Sequence, residues 1–190
     1  MIKAIITDFD GTLVDTFEAN FKAYHKAFAT VGLSLTAERY RECFGYRYDK
    51  FMETMCICDN SLASTIKEYK KEFYPLFFDS LKPNLALIDI IKTFKNMGCK
   101  SAIASTARKE NLMNAINYLG IEHHFDLIFA GVDVKNGKPS PEIYLKAMAA
   151  LDVKPEETLI FEDSQVGIEA AVASGAHCMI VDSRQFAIYV

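Results

Sequence analysis

The sequence predicts an α/β fold, a doubly wound parallel sheet of the Rossmann-like type with an inserted α-helical domain. Three observations lead to this fold class. Short apolar runs are continuous rather than alternating, which is typical of parallel strands covered on both faces. Helical patterns lie between these runs, as in βαβ units. Residues 16–79 interrupt the alternation with helical patterns alone.

Five apolar runs are the predicted strands. The first, IKAIIT at residues 2–7, is followed by two aspartates, and the last, CMIV, comes near the end of the sequence. The predicted strands cover residues 2–7, 99–104, 125–130, 158–162 and 178–181. Their short length and lack of alternation favour buried positions in one sheet.

Helices are predicted between these strands from apolar spacing and from end signals. Gly98, Gly120 and Gly175 follow three of the patterns as stop signals. Ser140–Pro141 has the form of an N-cap followed by proline at the first helical position, and Ser164 is a second predicted N-cap. The predicted helices cover residues 84–97, 107–119, 140–151 and 164–174.

The helical block at residues 16–79 is predicted to be a second domain inserted into the first. Its helical patterns lie at residues 17–30, 36–44, 48–56 and 60–78, although Pro75 obscures where the last one ends. Apolar residues recur at helical spacing, as in Phe17, Phe21 and Tyr24. We therefore assign residues 1–15 and 80–190 to an α/β core and residues 16–79 to an inserted helical domain.

Composition excludes several classes of protein. The 190 residues are 51% hydrophobic and carry a formal charge of −4, which argues against a nucleic-acid binder. No apolar run is long enough to span a membrane, and Asp8 and Asp10 interrupt the N-terminal apolar run, so a signal peptide is not predicted. Five cysteines without framework spacing favour reduced thiols. We expect a cytoplasmic monomer.

The stretch AIITDFDGTLVDT, residues 4–16, places Asp8 and Asp10 where a buried strand ends. Carboxylates at positions i and i+2 of an extended segment point to the same side. Two like charges this close repel unless a cation lies between them or one carboxylate keeps its proton. The pair therefore indicates chemistry rather than a simple turn.

Polar side chains also follow the other predicted strands. Ser105 and Thr106 follow the second, with Arg108 close behind; Lys138 lies in the loop after the third; and Glu162 and Asp163 end the fourth. The carboxyl ends of parallel strands form the ligand-binding edge of such sheets. Hydroxyl and ammonium groups beside four carboxylates suit an anionic substrate bridged by a hard cation, and Mg²⁺ fits best.

Other interpretations of these motifs are weaker. A calcium loop would need glutamate where Phe17 stands, and its aspartates would not follow a strand. The stretch GVDVKNGKPS has the wrong glycine spacing for a phosphate-binding P-loop, and Pro139 replaces its serine or threonine. No G-x-S-x-G stretch supports a serine hydrolase.

The motifs resemble those of the haloacid dehalogenase superfamily, in particular its phosphatases with a helical cap. The resemblance rests on Asp8-Phe9-Asp10-Gly11-Thr12, on Ser105, on Lys138 and on Glu162-Asp163, in that order along the chain. The stretches GKPSPEIY and FEDSQVGIEAAVASGA are similar to those of phosphoglycolate phosphatases and β-phosphoglucomutases. The resemblance covers nearly the whole chain.

The resemblance implies two catalytic carboxylates. Asp8 would attack phosphorus and form an aspartyl-phosphate. Asp10 would protonate the leaving oxygen and then activate water. Mg²⁺ would be held by Asp8, the backbone carbonyl of Asp10 and Asp163, and Glu162 completes the predicted metal site.

The resemblance also implies where the phosphoryl group binds. Ser105 and Lys138 would contact its oxygens, and backbone amides after Asp8, among them that of Gly11, would face it. Thr106 and Arg108 are further candidates for phosphate contacts. Arg47 in the helical block is a candidate for contact with a sugar hydroxyl or a second anion.

The predicted function is a magnesium-dependent phosphatase for a small phosphorylated metabolite, such as a sugar phosphate or phosphoglycolate. A β-phosphoglucomutase-like phosphomutase stays open, although Asn20 stands where that subgroup carries histidine. A phosphonate hydrolase needs a Schiff-base lysine, and Lys22, Lys26 and Lys50 stay candidates. A non-catalytic binding module would be expected to lose at least one motif residue, and none is lost.

Overall fold

The chain forms two compact units in a computed structural model, which describes residues 1–182. The first unit comprises Met1–Asp15 and the described residues from Lys82 onward, and the second is Thr16–Leu81. The sequence placed the second boundary two residues earlier, at residues 79 and 80.

The first unit is built on a five-stranded parallel sheet with the order β5-β4-β1-β6-β7. A separate antiparallel ribbon of two residues per strand, β2 with β3, pairs the chain just before the second unit with the chain just after it. The strands are β1 Ala4–Thr7, β2 Val14–Asp15, β3 Lys82–Pro83, β4 Lys100–Ala104, β5 Leu127–Phe129, β6 Thr158–Glu162 and β7 His177–Ile180. Each of the five predicted strands is present with ends within two residues of the prediction, and β6 has the predicted ends; the ribbon was not predicted.

Helices cover the sheet, which confirms the predicted fold class. The helices of the first unit are α5 Leu85–Asn96, α6 Lys109–Leu119, α7 Glu142–Leu151 and α8 Gln165–Ala173. Buried residues of α7 and α8, among them Tyr144 and Ala170, pack in one cluster with Ala4 and Ile6 of β1. Ile5 is buried on the opposite face, because successive strand residues alternate. Burial on both faces explains why the strand sequences are continuously apolar.

The second unit is helical throughout its described elements, and a cluster of apolar and aromatic side chains forms its core. Its helices are α1 Phe17–Thr30, α2 Ala37–Arg41, α3 Tyr48–Thr54 and α4 Asn60–Phe73. The predicted helix at 60–78 ends at Phe73 and continues as a 3₁₀ helix, Tyr74–Ser80, with Pro75 in its first turn. Proline has no backbone N–H and disfavours a continuous α-helix at this point.

Two further findings bear on the sequence predictions. All five cysteines lie in the described part of the chain and are free thiols. Within residues 1–182 we find no helix with the length and apolar character that a membrane span requires.

Candidate active site

Register places the ends of β1, β4 and β6 at one edge of the sheet. Thr7 of β1 pairs with Ile103 of β4 on one side and with Phe161 of β6 on the other. Pairing continues one residue further, since the Asp8 amide donates to the Phe161 carbonyl at 3.0 Å. Residues that follow these strands therefore begin level with one another, as the strand-end pattern of the sequence predicts.

The chain makes a closed loop directly after Asp8. The Val14 amide donates to the Phe9 carbonyl at 2.9 Å, and the Gly11 amide donates to the Val14 carbonyl at 2.8 Å. Gly11 has a φ of +92°, and a Cβ at this position would lie 2.2 Å from Oδ2 of Asp163. Only glycine adopts this backbone without strain and leaves room for the Asp163 carboxylate.

Asp10 and Ser105 meet at this edge. Ser105 follows β4, is buried, and its hydroxyl donates to Oδ2 of Asp10 at 3.4 Å. The Ala107 amide donates to Oγ of Ser105 at 3.1 Å, which fixes the serine rotamer. Two residues that are distant in sequence, and that both come after predicted strands, are thus in contact.

The ammonium group of Lys138 contacts both Asp8, which follows β1, and Glu162, at the end of β6. Its Nζ lies 2.6 Å from Oδ1 of Asp8 and 2.5 Å from Oε1 of Glu162. Lys138 is 8% exposed, and Glu162 is fully buried. A buried ammonium between two carboxylates is a strong charge-assisted arrangement, because little water competes for these groups.

The loop that carries Lys138 is held by the first residue of α7. The carboxylate of Glu142 accepts hydrogen bonds from the amides of Lys135 at 2.7 Å and Asn136 at 2.8 Å. The predicted N-cap at Ser140 is one residue too early, since Pro141 is the N-cap of α7; the Ser140 hydroxyl still accepts from the Glu142 amide at 3.4 Å. The two bonds to Glu142 hold the loop two and three residues before Lys138.

Glu162 accepts hydrogen bonds on both carboxylate oxygens. Oε1 accepts from Lys138 and, at 2.6 Å, from the hydroxyl of Tyr144. Oε2 accepts from the amides of Asp163 and Ser164 and from the Ser164 hydroxyl, at 3.0, 3.2 and 3.1 Å. A Cβ at Gly167 would lie within 2.2 Å of this carboxylate, so α8 presents a glycine where Glu162 needs space. The arrangement holds Glu162 in one place.

Asp163 is half-buried beside the loop after β1. The Thr12 hydroxyl donates to its Oδ1 at 2.7 Å, and burial raises the pKa of Asp163 to about 6 despite this bond. Thr12 is in turn held by Asn84, whose side-chain amide donates to the Thr12 carbonyl at 3.3 Å. The late acidic pair and the first motif are therefore in direct contact.

The electrostatics of the buried groups favour a bound cation. Burial raises the pKa of Asp8 well above its usual range, and the carboxylates of Glu162 and Asp163 raise it further. The Lys138 ammonium acts in the opposite direction but does not cancel the shift. Burial disfavours the charged form of Lys138, but Asp8 and Glu162 outweigh that cost and raise the lysine pKa. One ammonium thus faces an excess of carboxylates.

The donor set fits a hard divalent metal. Asp8, Glu162 and Asp163 each offer a carboxylate oxygen, and these atoms lie within 4.8 Å of one another. Carboxylate oxygens are the ligands that Mg²⁺ prefers in proteins. Within this group, Glu162 differs from Asp8 and Asp163 because both of its oxygens already accept two or more hydrogen bonds.

The remaining predicted site residues are less closely tied to this edge. Thr106 is exposed after Ser105, and Arg108 is half-buried and immediately precedes α6. Arg47 is exposed in the second unit, immediately before α3. The contributions of these three residues to binding stay predictions.

Sequence reasoning assigned no role to Tyr144 or Thr12. Tyr144 is fully buried on α7, and burial with the nearby Glu162 carboxylate holds its pKa well above the usual range, so its hydroxyl stays a donor. A tyrosine on an apolar helical stripe was the available signal, since a buried hydroxyl needs a partner. The sequence does not say which partner.

Comparison with known proteins places the whole arrangement in a family. The family model described as haloacid dehalogenase-like hydrolase matches residues 5–181. The chain is 34% identical over 178 residues to the phosphorylated carbohydrates phosphatase of Thermotoga maritima, which covers 92% of this chain and 82% of that protein.

Solved structures show the same similarity. CbbY from Rhodobacter sphaeroides in complex with phosphate has a TM-score of 0.83 and 31% identity, over 95% of this chain and 86% of that one. β-Phosphoglucomutase from Clostridium difficile has a TM-score of 0.82 and 25% identity, over 97% and 86% of the two chains. The resemblance inferred from the ordered motifs is confirmed, and the chain belongs to the haloacid dehalogenase-like hydrolases.

Proposed function

We propose that this hydrolase is a magnesium-dependent phosphatase that removes the phosphoryl group from a small phosphorylated carbohydrate by way of an aspartyl-phosphate. The observation that carries the proposal is the contact of Lys138 with Asp8 at the sheet edge, beside the acidic group of Glu162 and Asp163. A nucleophile, a cation that offsets its charge and carboxylates suited to a metal are the parts that phosphoryl transfer requires. The Thermotoga maritima relative, named for phosphorylated carbohydrates, supports the substrate class.

Asp8 is the proposed nucleophile. A carboxylate oxygen of Asp8 forms a bond to phosphorus while the bond from phosphorus to the leaving oxygen breaks, and Asp10 gives a proton to that oxygen. Water then attacks the aspartyl-phosphate, Asp10 takes a proton from it, and inorganic phosphate leaves with Asp8 restored. Lys138 reduces the repulsion between the Asp8 carboxylate and the incoming anion.

The proposed magnesium ligands are Asp8, Asp163 and the Asp10 carbonyl. Glu162 supports these ligands through its hydrogen bonds with Lys138 and the Asp163 amide. When bound, Mg²⁺ would neutralise charge that develops on the phosphoryl oxygens. Ser105 is placed against Asp10 by its 3.4 Å hydrogen bond, and this contact supports a role for its hydroxyl in binding the phosphoryl group.

Further contacts complete the proposed binding site. We assign the backbone at Gly11, together with Thr106 and Arg108, to the phosphoryl group. The second unit is the proposed cap that selects the substrate, and Arg47 is its proposed contact to a sugar hydroxyl or second anion. Arg47→Ala is expected to raise KM several-fold with little change in kcat, because it would remove a contact made equally in ground and transition states.

A phosphomutase is the second candidate, favoured by the similarity to the Clostridium difficile β-phosphoglucomutase. Asn20, which stands where that subgroup is expected to carry histidine, is buried on α1. A mutase would convert a sugar phosphate to an isomer without net release of phosphate, so product analysis separates the two reactions.

The phosphonate-cleaving alternative needs a lysine that loses its proton readily. Lys22 lies 3.2 Å from Glu18, and Lys26 lies 4.4 Å from the ring centroid of Phe73. A hydrogen bond to Glu53 raises the pKa of Lys50. For Lys50 this raised pKa works against Schiff-base formation, which starts from the neutral amine.

A phosphate-release screen tests the proposed function. Sugar phosphates, phosphoglycolate, nucleotides and pyrophosphate are offered with Mg²⁺ and with excess chelator, to the natural protein and to Asp8→Asn. We expect release from at least one sugar phosphate, loss of release in chelator, and a fall of at least about 10⁴-fold in Asp8→Asn, since the nucleophile is removed.

Asp89→Asn is the matched control. Asp89 is an exposed residue of α5 paired with Lys92, so the same change of carboxylate to amide should leave turnover within about twofold. Wild-type turnover in Asp8→Asn would contradict the nucleophile, and equal turnover in chelator would remove the metal from the mechanism.

A further inference from the structure

Tyr144 contacts the site without reaching its reacting atoms. Its hydroxyl donates to Oε1 of Glu162 at 2.6 Å, and the same oxygen accepts from Nζ of Lys138 at 2.5 Å. Tyr144 and its acceptor Glu162 are fully buried and Lys138 is 8% exposed, so bulk water has little access to either hydrogen bond. Two donors from different parts of the chain therefore share one carboxylate oxygen.

The shared oxygen sets how strongly Glu162 attracts the lysine. Lys138 donates to Oδ1 of Asp8 as well, so its ammonium is divided between two carboxylates. The tyrosine hydroxyl satisfies part of the acceptor capacity of Oε1 and lowers its attraction for Lys138. Without that hydroxyl, Lys138 no longer shares Oε1 with Tyr144, and the Lys138 ammonium moves away from Asp8 and toward Glu162.

Glu162 itself has no room to compensate by turning. Its Oε2 is held by two amides and the Ser164 hydroxyl, and Gly167 of α8 closes the space beside the carboxylate. The part free to move is the end of the Lys138 side chain, which has several rotatable bonds.

We propose that Tyr144 is a positioning residue, whose hydroxyl shares Oε1 of Glu162 with Lys138 and so keeps the Lys138 ammonium on Asp8 and the incoming phosphoryl group. This inference rests on the proposed function for its catalytic consequence, but the placement of Lys138 is a property of the folded chain. Tyr144 acts through Glu162 and touches neither the substrate nor the metal.

Tyr144→Phe isolates the hydroxyl. The ring of Tyr144, whose centroid lies 5.0 Å from Nζ of Lys138, is kept, together with the packing of α7. Tyr118→Phe on α6 removes the same group from a residue that is 58% exposed and serves as the matched control.

The kinetic test uses Mg²⁺ and p-nitrophenyl phosphate or the substrate found in the screen. In Tyr144→Phe we expect kcat to fall about tenfold while KM stays within about twofold. A hydrogen bond to a charged group is lost, and the displaced Lys138 then stabilises the transition state less than before. Inhibition by orthovanadate, which mimics five-coordinate phosphorus, should weaken by a similar factor, and inhibition by inorganic phosphate should change little. Tyr118→Phe should match the natural protein in all four quantities.

The ratio of the vanadate and phosphate inhibition constants distinguishes a change in the placement of Lys138 from a general loss of protein stability. Each inhibition constant refers to active sites that are folded, so a lower melting temperature alone does not change the ratio. A Tyr144→Phe protein that melts earlier but keeps its kcat and this ratio would overturn the proposal and leave Tyr144 with a packing role.

Crystal structures of the natural protein and Tyr144→Phe give a readout that needs no turnover. We expect the distance from Lys138 Nζ to Asp8 Oδ1 to lengthen beyond about 3.5 Å in the variant, outside hydrogen-bond range. An unchanged distance would overturn the positioning role even if the protein is a phosphatase. A natural protein that releases phosphate from no substrate would instead overturn the proposed function, while this distance still decides the placement of Lys138.

Discussion

The two units of this chain bury different kinds of side chain. The sheet edge of the first unit buries Asp8, Lys138 and Glu162 in contact with one another. The second unit buries rings instead, such as Tyr40 and Phe51, whose centroids lie 5.7 Å apart. Burial of apolar rings stabilises a fold, whereas burial of charge costs stability unless each charge is paired. The difference indicates that the first unit is built for chemistry at some cost in stability.

The buried carboxylates of the site also differ in pKa from Glu38 of the second unit. Burial raises the pKa of Asp8 and Asp163 in the first unit, so ionising them at neutral pH works against folding. In the second unit a backbone amide and the Thr36 hydroxyl lower the pKa of Glu38 at the start of α2, so its ionised form is favoured in the folded state. Ionisation of Glu38 therefore supports folding, whereas ionisation of Asp8 and Asp163 opposes it.

Lys70 extends the comparison to basic residues. It is buried in the second unit, where its ammonium lies 3.9 Å from the ring centroid of Tyr74 and 5.3 Å from that of Tyr24. Lys138 contacts two carboxylates at hydrogen-bond distance. Aromatic faces accommodate a cation without supplying a nucleophile or a metal ligand.

Lys138→Met should show the largest effect, because it removes the one charge that links Asp8 and Glu162. The free energy of unfolding is expected to fall by about 3–5 kcal/mol, since two buried carboxylates lose the ammonium that offsets their charge. Phosphatase activity should fall about 10³-fold, because an electrostatic contact to the reacting groups is lost. Urea unfolding and a phosphate-release assay measure the two quantities.

Lys92→Met on α5 is the control for this change. Lys92 is exposed and pairs with Asp89 at 3.2 Å, so its removal should cost less than about 1 kcal/mol and leave turnover unchanged. If Lys138→Met were as stable as Lys92→Met, the buried charges of the first unit would contribute nothing and the contrast between the units would fail.

Ile66→Ala should lower stability without the loss of chemistry. Ile66 of α4 is fully buried in the apolar cluster of the second unit, and the cavity left by its truncation is expected to lower the free energy of unfolding by about 3 kcal/mol. Turnover per folded molecule should stay within about twofold, because no reacting group is changed. Calorimetry and turnover measured well below the melting temperature check the two outcomes.

Leu76→Ala is the matched truncation at an exposed position, since Leu76 is 60% exposed. It should change stability by less than about 0.5 kcal/mol. A loss of turnover in Ile66→Ala comparable with that in Lys138→Met would mean that apolar packing in the second unit controls the chemistry, which would break the comparison.

The sequence was informative where a rule links a local pattern to a position in the fold. Continuous apolar runs predicted the parallel strands, and the strand-end rule brought Asp8, Ser105, Lys138 and Glu162 to one edge before any distance was known. The rule works because parallel register brings the carboxyl ends of strands level, as Thr7 with Ile103 and Phe161 shows.

The sequence was uninformative where a role depends on a partner from another element. Tyr144 has the pattern of a core residue on α7, and its contact with Glu162 depends on how closely α7 approaches the end of β6. The hydrogen bond from Thr12 to Asp163 likewise spans most of the chain. The sequence also predicted short helices that are too long: α2 ends at Arg41 and not at the predicted residue 44. Periodicity alone does not fix a helix end.

The smallest predicted effect concerns a single carboxylate, Asp163. Its pKa of about 6 is raised by burial, so below about pH 6 the folded protein holds a proton where the proposed metal must bind. We expect the apparent affinity for Mg²⁺ to level off above about pH 7 and to fall by up to about tenfold per pH unit below about pH 6. Because the pKa of Asp8 is raised as well, the fall in affinity should begin at a higher pH than Asp163 alone would give.

Calorimetric titration with Mg²⁺ from about pH 5 to about pH 8 measures this dependence and needs no substrate. In Asp163→Asn we expect weak binding and a shallower dependence on pH, because one of the titrating ligands is gone. Equal affinity for Mg²⁺ at both ends of this range in the natural protein would show that the metal does not compete with a proton on Asp163. In that case burial of the site carboxylates would have no measurable effect on metal binding, and the contrast between the units would reduce to their aromatic content.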